Sequence, residues 1–263
     1  AWTTAWNLDP TLNSGTTSSG GGRGGYTFSA NNSNATTTAP GNAAWGGDNR
    51  QERGGLGGRP LINPSNTSQR IFLGGGGGAG DGNNNASAGG AAGGGIVFVL
   101  APTVSGTGTI NANGQNAPAT LPAHNDAPGG GGGGGSIIVA ATTLSNVSIN
   151  AKGGNGGNQL ITNNEGEGPG GGGGGGVVAT SGGIVPISVA AGSNGKTNSG
   201  ALTEFLPNGA TSGAPGNTSN IVPFIPNQSC IGVAKTVTNV AFVSGTSYDV
   251  QMAVRVVNMG SDQ

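Results

Sequence analysis

The apolar positions of this chain fall in short segments, rich in Val and Ile and bounded by Gly or Asn. The longest continuous apolar stretch, 96–101, has the length of a strand, and none approaches the 18 or more residues of a membrane span. No stretch keeps a 3.6-residue apolar period over three turns. The pattern therefore predicts an all-β chain without helices and without membrane insertion.

An internal repeat organises the middle of the chain. Three segments, beginning at Gly93, Gly133 and Gly174, share one order: a glycine run, a strand, a polar turn, a second strand and an Asn/Gly turn. The matched pairs are 41, 39 and 40 residues apart, namely Ile96 with Ile137, Ile110 with Ile149, and Ile149 with Val189. A fixed period near 40 predicts a parallel, solenoid-like stack of similar units.

The side-chain pattern within a unit predicts how each strand is buried. In the segment 148–151, Ile149 and Ala151 share one face while Ser148 and Asn150 share the other, as in a half-buried strand. The segment 96–100 is apolar throughout, which predicts a strand buried on both faces.

Three nearly pure glycine runs recur in register with the strands. Residues 74–78, 129–135 and 170–176 hold 5, 7 and 7 glycines, and flexible linkers are the alternative interpretation. Ordering them costs roughly 10–19 kcal/mol more than ordering alanines, which only dense backbone hydrogen bonding and close packing can offset. Seven residues at a ~3.1 Å rise span ~22 Å, close to six strand residues. We therefore expect polyglycine II-type helices, each lying alongside a strand.

Composition divides the chain into four parts. Residues 1–73 carry all three tryptophans and are expected to form an N-terminal cap and loops, and residues 74–205 form the glycine-rich repeat domain. Residues 206–228 are rich in Pro, Asn and Ser and are predicted to be a linker. Residues 229–263 return to ordinary strand patterns and are predicted to be part of another module.

Charge and cysteine content narrow the function classes. Charged residues make up 7% of the chain, the formal net charge is -1, and the nine Lys and Arg are scattered. Because no basic stripe is present, nucleic-acid binding is not expected. The single cysteine, Cys230, excludes an intrachain disulfide. The chain begins at Ala1 rather than Met, which is typical of an exported protein after removal of its signal.

Two resemblances follow from particular segments. The segment CIGVAKTVTNV…SYDVQMAVRVVNMGSD resembles the first strands of an immunoglobulin-like module repeated in large bacterial surface proteins. FLGGGGGAGDGNNN, GGGIVFVLA, SGTGTINANG and GPGGGGGGG resemble glycine-rich repeat regions of secreted adhesin-like proteins, notably in Bacteroidetes. They are more loosely similar to phage tail-tip adhesins and to antifreeze proteins with bundled polyglycine helices. The resemblance to the Bacteroidetes proteins implies export by the type IX route and outer-membrane anchoring through a further C-terminal region.

Candidate catalytic and metal-binding residues are sparse. The one histidine, His124, lies in a turn without a nucleophile elbow, and Glu165 and Glu167 lie on a glycine loop too mobile for general acid/base work. These features favour a chain that is not an enzyme. Alternating oxygen ligands at Asp81, Asn83 and Asn85 resemble the start of a calcium loop but lack the twelfth-position Glu, so calcium is a weak expectation and no other cofactor is expected.

Aromatic side chains are the sequence candidates for binding. Trp2, Trp6, Tyr26 and Trp45 lie in segments predicted as loops, where aromatic rings contact sugars or partner proteins. The alternative is that they plug the end of the core. We expect the partners to be surface glycans or proteins of another cell.

The expected function is a structural and adhesive domain at the tip of a bacterial surface protein or filament. The alternative is an ice- or mineral-binding surface in which Thr107, Thr109 and Asn111 align with Ser148 and Asn150 of the next unit. Residues 229–263 have too few strands for a sandwich. We therefore expect further modules in the same polypeptide, or completion of the sheet with a neighbouring subunit.

Overall fold

The computed structural model describes residues 20–25, 54–60, 71–82, 87–122, 126–162, 168–199, 206–220, 222, 231–244 and 247–258. The chain divides into two compact units, Ala1–Pro223 and Phe224–Gln263. Within these ranges every element of regular secondary structure is a β-strand. The described residues contain no helix that is long and apolar enough to cross a membrane. The prediction of an all-β chain is confirmed for this part of the protein.

Seven short strands of the first unit form two parallel sheets. In chain order they are β1 (Ile96–Ser105), β2 (Thr109–Asn111), β3 (Ser136–Ser145), β4 (Ser148–Asn150), β5 (Val177–Thr180), β6 (Ile187–Ser188) and β7 (Asn217–Ser219). One sheet has the order β1-β3-β5-β7 and the other the order β2-β4-β6. Each pair within a sheet is parallel, so successive repeats lie side by side in the same direction.

The register corrects two of the three sequence matches. Ile110 pairs with Ile149 as predicted, but Ile137 pairs with Val97 rather than Ile96, and Ile149 pairs with Ile187 rather than Val189. A one-residue slip moves a side chain to the opposite face of a sheet. Ile96, which pairs with Ser136, therefore lies on the opposite face of the sheet from Val97 and Ile137.

β1 is not buried on both faces, as the sequence had suggested. Ile96, Phe98 and Leu100 are exposed, whereas Val97 and Val99 pack on the core. The strand forms one edge of its sheet, so its outer face lacks the cover that a central strand receives. β3 is the strand whose first five residues are buried on both faces.

The apolar core joins the two sheets. Its buried members come from both of them and from the turns between them; they include Ile137, Val139, Leu144, Val147, Ile149, Val178 and Val185. Ile137 and Ile149 are completely buried. Because side chains alternate between the two faces of a strand, every second residue of β3 and β4 directs an apolar side chain toward the other sheet.

In the described ranges, the first unit also contains ten extended segments, most of them glycine-rich, which are hydrogen-bonded to one another. Their hydrogen bonds arrange the segments in three rows. The outer row contains 74–82, 20–25 and 54–60; the middle row contains 87–95, 127–135, 168–176 and 208–216; and the third row contains 112–120, 151–159 and 190–197. Each middle-row segment leads directly into a strand of the four-stranded sheet, and each third-row segment follows or adjoins one of the three-stranded sheet. The sheets therefore lie at one end of the rows, here named the sheet end.

The segment 127–135 shows the repeat of the glycine segments. Its N–H groups donate in rotation to three neighbouring segments, and its carbonyls accept from three others. Successive bonds are Gly130 N to Gly78 O (2.8 Å), Gly131 N to Gly171 O (2.9 Å), Gly132 N to Gln115 O (3.0 Å) and Gly133 N to Gly75 O (2.8 Å). A direction that recurs every third residue requires three residues per turn. Such a segment has six neighbours, whereas a strand bonds to two.

This six-fold environment corrects the expectation that a glycine run lies alongside a strand. The neighbours of 127–135 are other glycine segments, and strand pairs with strand. The physical reason is the direction of the N–H groups, because a strand directs them along one line and a three-residue turn directs them along three.

Glycine is required where the backbones touch. A Cβ added to Gly131 would lie 2.0 Å from the carbonyl oxygen of Gly154, and one added to Gly173 would lie 2.0 Å from that of Gly132. Both distances are far inside van der Waals contact. Gly76, on the outer row, has its nearest atom at 3.7 Å and is spatially tolerant.

The predicted linker begins too early. Residues 208–216 form a middle-row segment, with Ala214 N donating to Gly58 O (3.0 Å), and β7 joins the four-stranded sheet. The glycines at 213 and 216 occupy contacts that a side chain would block. Within 1–73, the described residues 20–25 and 54–60 likewise belong to the outer row.

The second unit contains an antiparallel strand pair. β8 (Ile231–Ser244) and β9 (Ser247–Asn258) run from the pair Ile231 with Asn258 to the pair Ser244 with Ser247. The register shifts between Val237 and Asn239 and again between Phe242 and Ser244.

Candidate ligand-binding face

The aromatic candidates lie outside the described residues. This holds for Trp2, Trp6, Tyr26 and Trp45, and also for His124, Glu165, Glu167 and Cys230. Gly25 and Gly54, the described residues that flank the stretch containing Tyr26 and Trp45, both lie away from the sheet end, bonded to Pro128 and Asn208. The aromatic residues remain predicted ligand contacts.

Only one of the three calcium candidates lies in a described range. Asp81 is partly exposed; its N–H donates to Gly25 O (3.0 Å), and its carbonyl accepts from Ala127 N (3.1 Å). Asn83 and Asn85 lie outside those ranges. Across the described residues, no three His, Cys, Asp or Glu side chains form a group able to hold a metal ion. Calcium binding stays a prediction.

The third row presents a continuous polar surface, here named the asparagine face. Its exposed side chains recur at every third position on 112–120 and 151–159 and continue onto 190–197; they are Asn113, Asn116, Lys152, Asn155, Asn158, Ser193 and Lys196. A three-residue turn directs every third side chain to the same side, which explains the spacing. The intervening glycines lie against the backbone of middle-row or neighbouring third-row segments, where no side chain fits.

Asparagine side chains complete the hydrogen bonding of this face. Each Oδ1 accepts an outward backbone N–H of the neighbouring segment. The bonds are Lys152 N to Asn113 Oδ1 (2.8 Å), Asn155 N to Asn116 Oδ1 (2.8 Å), Ser193 N to Asn155 Oδ1 (2.9 Å) and Lys196 N to Asn158 Oδ1 (2.9 Å). Asparagine at these positions therefore bridges neighbouring segments as well as lining the surface.

These bonds fix the orientation of the amides. A backbone N–H can only donate, so the side-chain atom that meets it must be the oxygen, and the Nδ2 group points away. Asn113 Nδ2 donates to Asn111 Oδ1 (3.3 Å). No hydrogen bond of this kind engages the Nδ2 groups of Asn116, Asn155 and Asn158 within the described structure. The face thus presents donors.

All charged side chains of the asparagine face are positive. Lys152 and Lys196 are exposed, and the residues 109–120, 148–159 and 187–197 contain no Asp or Glu. The described structure assigns no ion pair to either lysine. Both ammonium groups are therefore available to an acceptor in solution.

A shallow, open depression of about 400 Å³ lies on this face. It is lined by Asn113, Gly114, Gln115, Asn116, Lys152, Gly153, Asn155 and Ala191. Backbone and amide groups make its lining mainly polar, and it crosses from one segment to the next. Its form suits an extended ligand better than an enclosed small molecule.

The strands beside the face continue its polar rows. Thr109 pairs with Ser148, and Asn111 pairs with Asn150, as the sequence predicts. Asn150 Nδ2 donates to Asn111 Oδ1 (3.2 Å), and Asn150 in turn pairs with Ser188 of β6. The polar array thus extends from the third row onto the three-stranded sheet.

Sequence reasoning did not identify the asparagine face. The sequence that forms this face has Asn or Lys at every third residue, and the pattern is repeated 38 or 39 positions later. We find no match to this chain among protein-family models, curated proteins or solved structures.

Proposed function

We propose that this protein is a non-catalytic, extracellular structural and adhesive domain at the tip of a bacterial surface protein or filament. The asparagine face carries the proposal, because it offers unpaired donors in register on a close-packed backbone. A rigid array loses little conformational entropy when it binds, which favours attachment to repetitive surfaces. The partners are glycans or proteins of another cell.

The scaffold in this proposal is a parallel solenoid whose glycine segments are polyglycine II-type helices. The rotation of hydrogen bonds around 127–135 supports the helix type, and the parallel pairing at intervals near 40 residues supports the stack. The antiparallel pair β8 and β9 supports the start of an immunoglobulin-like module. Export and anchoring through a further C-terminal region complete the proposal.

Attachment under flow tests the adhesive role. Beads carrying the full chain are expected to stay on cell surfaces and polysaccharide films, and Ser193→Trp is expected to release them by covering the face. Ser193 suits this change because only its backbone N–H enters the asparagine bonds. Thr142→Trp, at an exposed position on β3 outside the face, is the matched control. Equal loss with both variants, or no attachment by the wild type, contradicts the proposal.

Enzymatic activity is a separate test. A purified chain that hydrolyses polysaccharides would contradict the non-catalytic assignment. A screen of neutral and acidic polysaccharides, followed by reducing-end release, measures this directly.

The in-register polar rows support a second candidate, binding to ice or a mineral surface. Thr109 with Ser148, and Asn111 with Asn150, form lines one strand spacing apart, about 4.8 Å. This candidate requires thermal hysteresis in solutions of the purified chain. Hysteresis abolished by Asn111→Ala would support it, and its absence would remove ice as the ligand.

A further inference from the structure

The asparagine face has an imbalance between donors and acceptors. Backbone N–H groups occupy the Oδ1 atoms of Asn113, Asn116, Asn155 and Asn158. The corresponding Nδ2 groups of the last three remain unpaired in the described structure. A ligand that approaches this face meets NH₂ groups whose acceptor partners are already used, so it must supply acceptors itself.

The two lysines strengthen this preference. Lys152 adjoins Asn113, and Lys196 adjoins Asn158, through the bonds of their own backbone N–H groups. No carboxylate occurs in the segments that form the face. Charge-assisted bonds from ammonium groups to carboxylates are stronger than bonds to neutral oxygens.

We propose that the asparagine face binds acidic polysaccharides, in which sugar units carry carboxylates. Carboxylates offer acceptors to Lys152 and Lys196, and sugar hydroxyls offer acceptors to the amides between them. The open depression, which crosses from 112–120 to 151–159, accommodates an extended chain. This inference rests on the proposed function and names its ligand class.

Other polyanions fit the face less well. A nucleic acid needs several phosphate contacts and stacking partners, and the face supplies two cations and no aromatic side chain. Stable attachment to an anionic membrane uses clusters of about 4–8 basic residues. Neutral amides interspersed with few cations match a polymer that alternates hydroxyls and carboxylates.

Binding of the full chain to polygalacturonate, compared with its methyl ester, tests the proposal. The ester keeps the sugar backbone and removes the charge. We expect at least about tenfold weaker binding to the ester, and weaker binding to the acid as NaCl is raised. Equal binding to both polymers would overturn the proposal.

Two variants locate the site. Asn116→Asp with Asn155→Asp keeps the oxygens that accept Asn155 N and Ser193 N while replacing the outward donors by carboxylate oxygen. We expect loss of polygalacturonate binding with a melting temperature lowered by less than about 4 °C. Lys152→Gln with Lys196→Gln is expected to weaken binding about tenfold. Lys235→Gln, which removes the same charge in β8, is expected to change binding less than twofold.

The outcomes separate this inference from the proposed function. Unchanged binding in both face variants, or equally tight binding of duplex DNA or phosphatidylserine vesicles, would overturn the acidic-polysaccharide assignment. If the beads attach through the face but polygalacturonate does not bind, this inference fails while the adhesive role stands. If neither occurs, both fail.

Discussion

A methyl group on Gly131 would lie 2.0 Å from the carbonyl oxygen of Gly154, since these two residues belong to neighbouring segments packed backbone to backbone. The same segment is bonded on all sides, so it has no room to move away. The contact between Gly131 and Gly154 explains why the seven residues 129–135 are all glycine, since a Cβ at this contact has no space.

Gly131→Ala is expected to destabilise the first unit by about 3 kcal/mol or more, because the clash is with backbone atoms that cannot rotate aside. This corresponds to a melting temperature lower by about 6–12 °C. Gly76→Ala is the matched control and is expected to be neutral or slightly stabilising, since its nearest atom lies 3.7 Å away. Equal effects in thermal unfolding would show that the segments are not packed as described.

Asn155→Ala is expected to cost about 1 kcal/mol, because Ser193 N loses its acceptor at a solvent-exposed site. Asn155→Asp is expected to cost less than about 0.5 kcal/mol, since an oxygen remains in place. Urea unfolding of the two variants measures the difference. A larger loss for the aspartate than for the alanine would show that Asn155 does not accept the Ser193 N–H through an oxygen.

Ile149→Ala is expected to destabilise the chain by about 2–5 kcal/mol, because Ile149 is fully buried between the sheets. Ile96→Ala is expected to cost about 1 kcal/mol, since Ile96 is 40% exposed on β1. This pair tests the register directly. Were Ile96 matched to Ile137, as its sequence position suggests, both substitutions would be similarly severe.

Hydrogen exchange is expected to show strong protection at residues 130–135, comparable with that of β3, because these residues are buried and each N–H donates to a carbonyl of a neighbouring segment. The contrasting region within the same unit is Gly89, whose N–H makes no backbone bond in the described structure. Exchange of 130–135 at the rate of an unstructured peptide would support the flexible-linker alternative instead.

Strand identity and the repeat followed from local sequence. Val- and Ile-rich segments bounded by Gly formed strands, and the spacing of Ile110 and Ile149 identified the true partners. The cost of ordering glycine led to the prediction of dense backbone bonding, and the structure shows such bonding around 127–135. These features depend on side-chain size and periodicity, which can be read directly from the amino-acid sequence.

Only the tertiary structure decided which neighbours each segment has. An apolar run does not reveal whether it lies at an edge, so the exposed face of β1 was missed, and a Pro/Asn-rich composition does not reveal that 208–216 completes the middle row. The asparagine face emerged in the same way, because Asn116 and Asn155 are 39 residues apart and become partners only when their two segments lie side by side. Composition and period are properties of a single chain segment, whereas burial and hydrogen-bond pairing depend on which segments pack together.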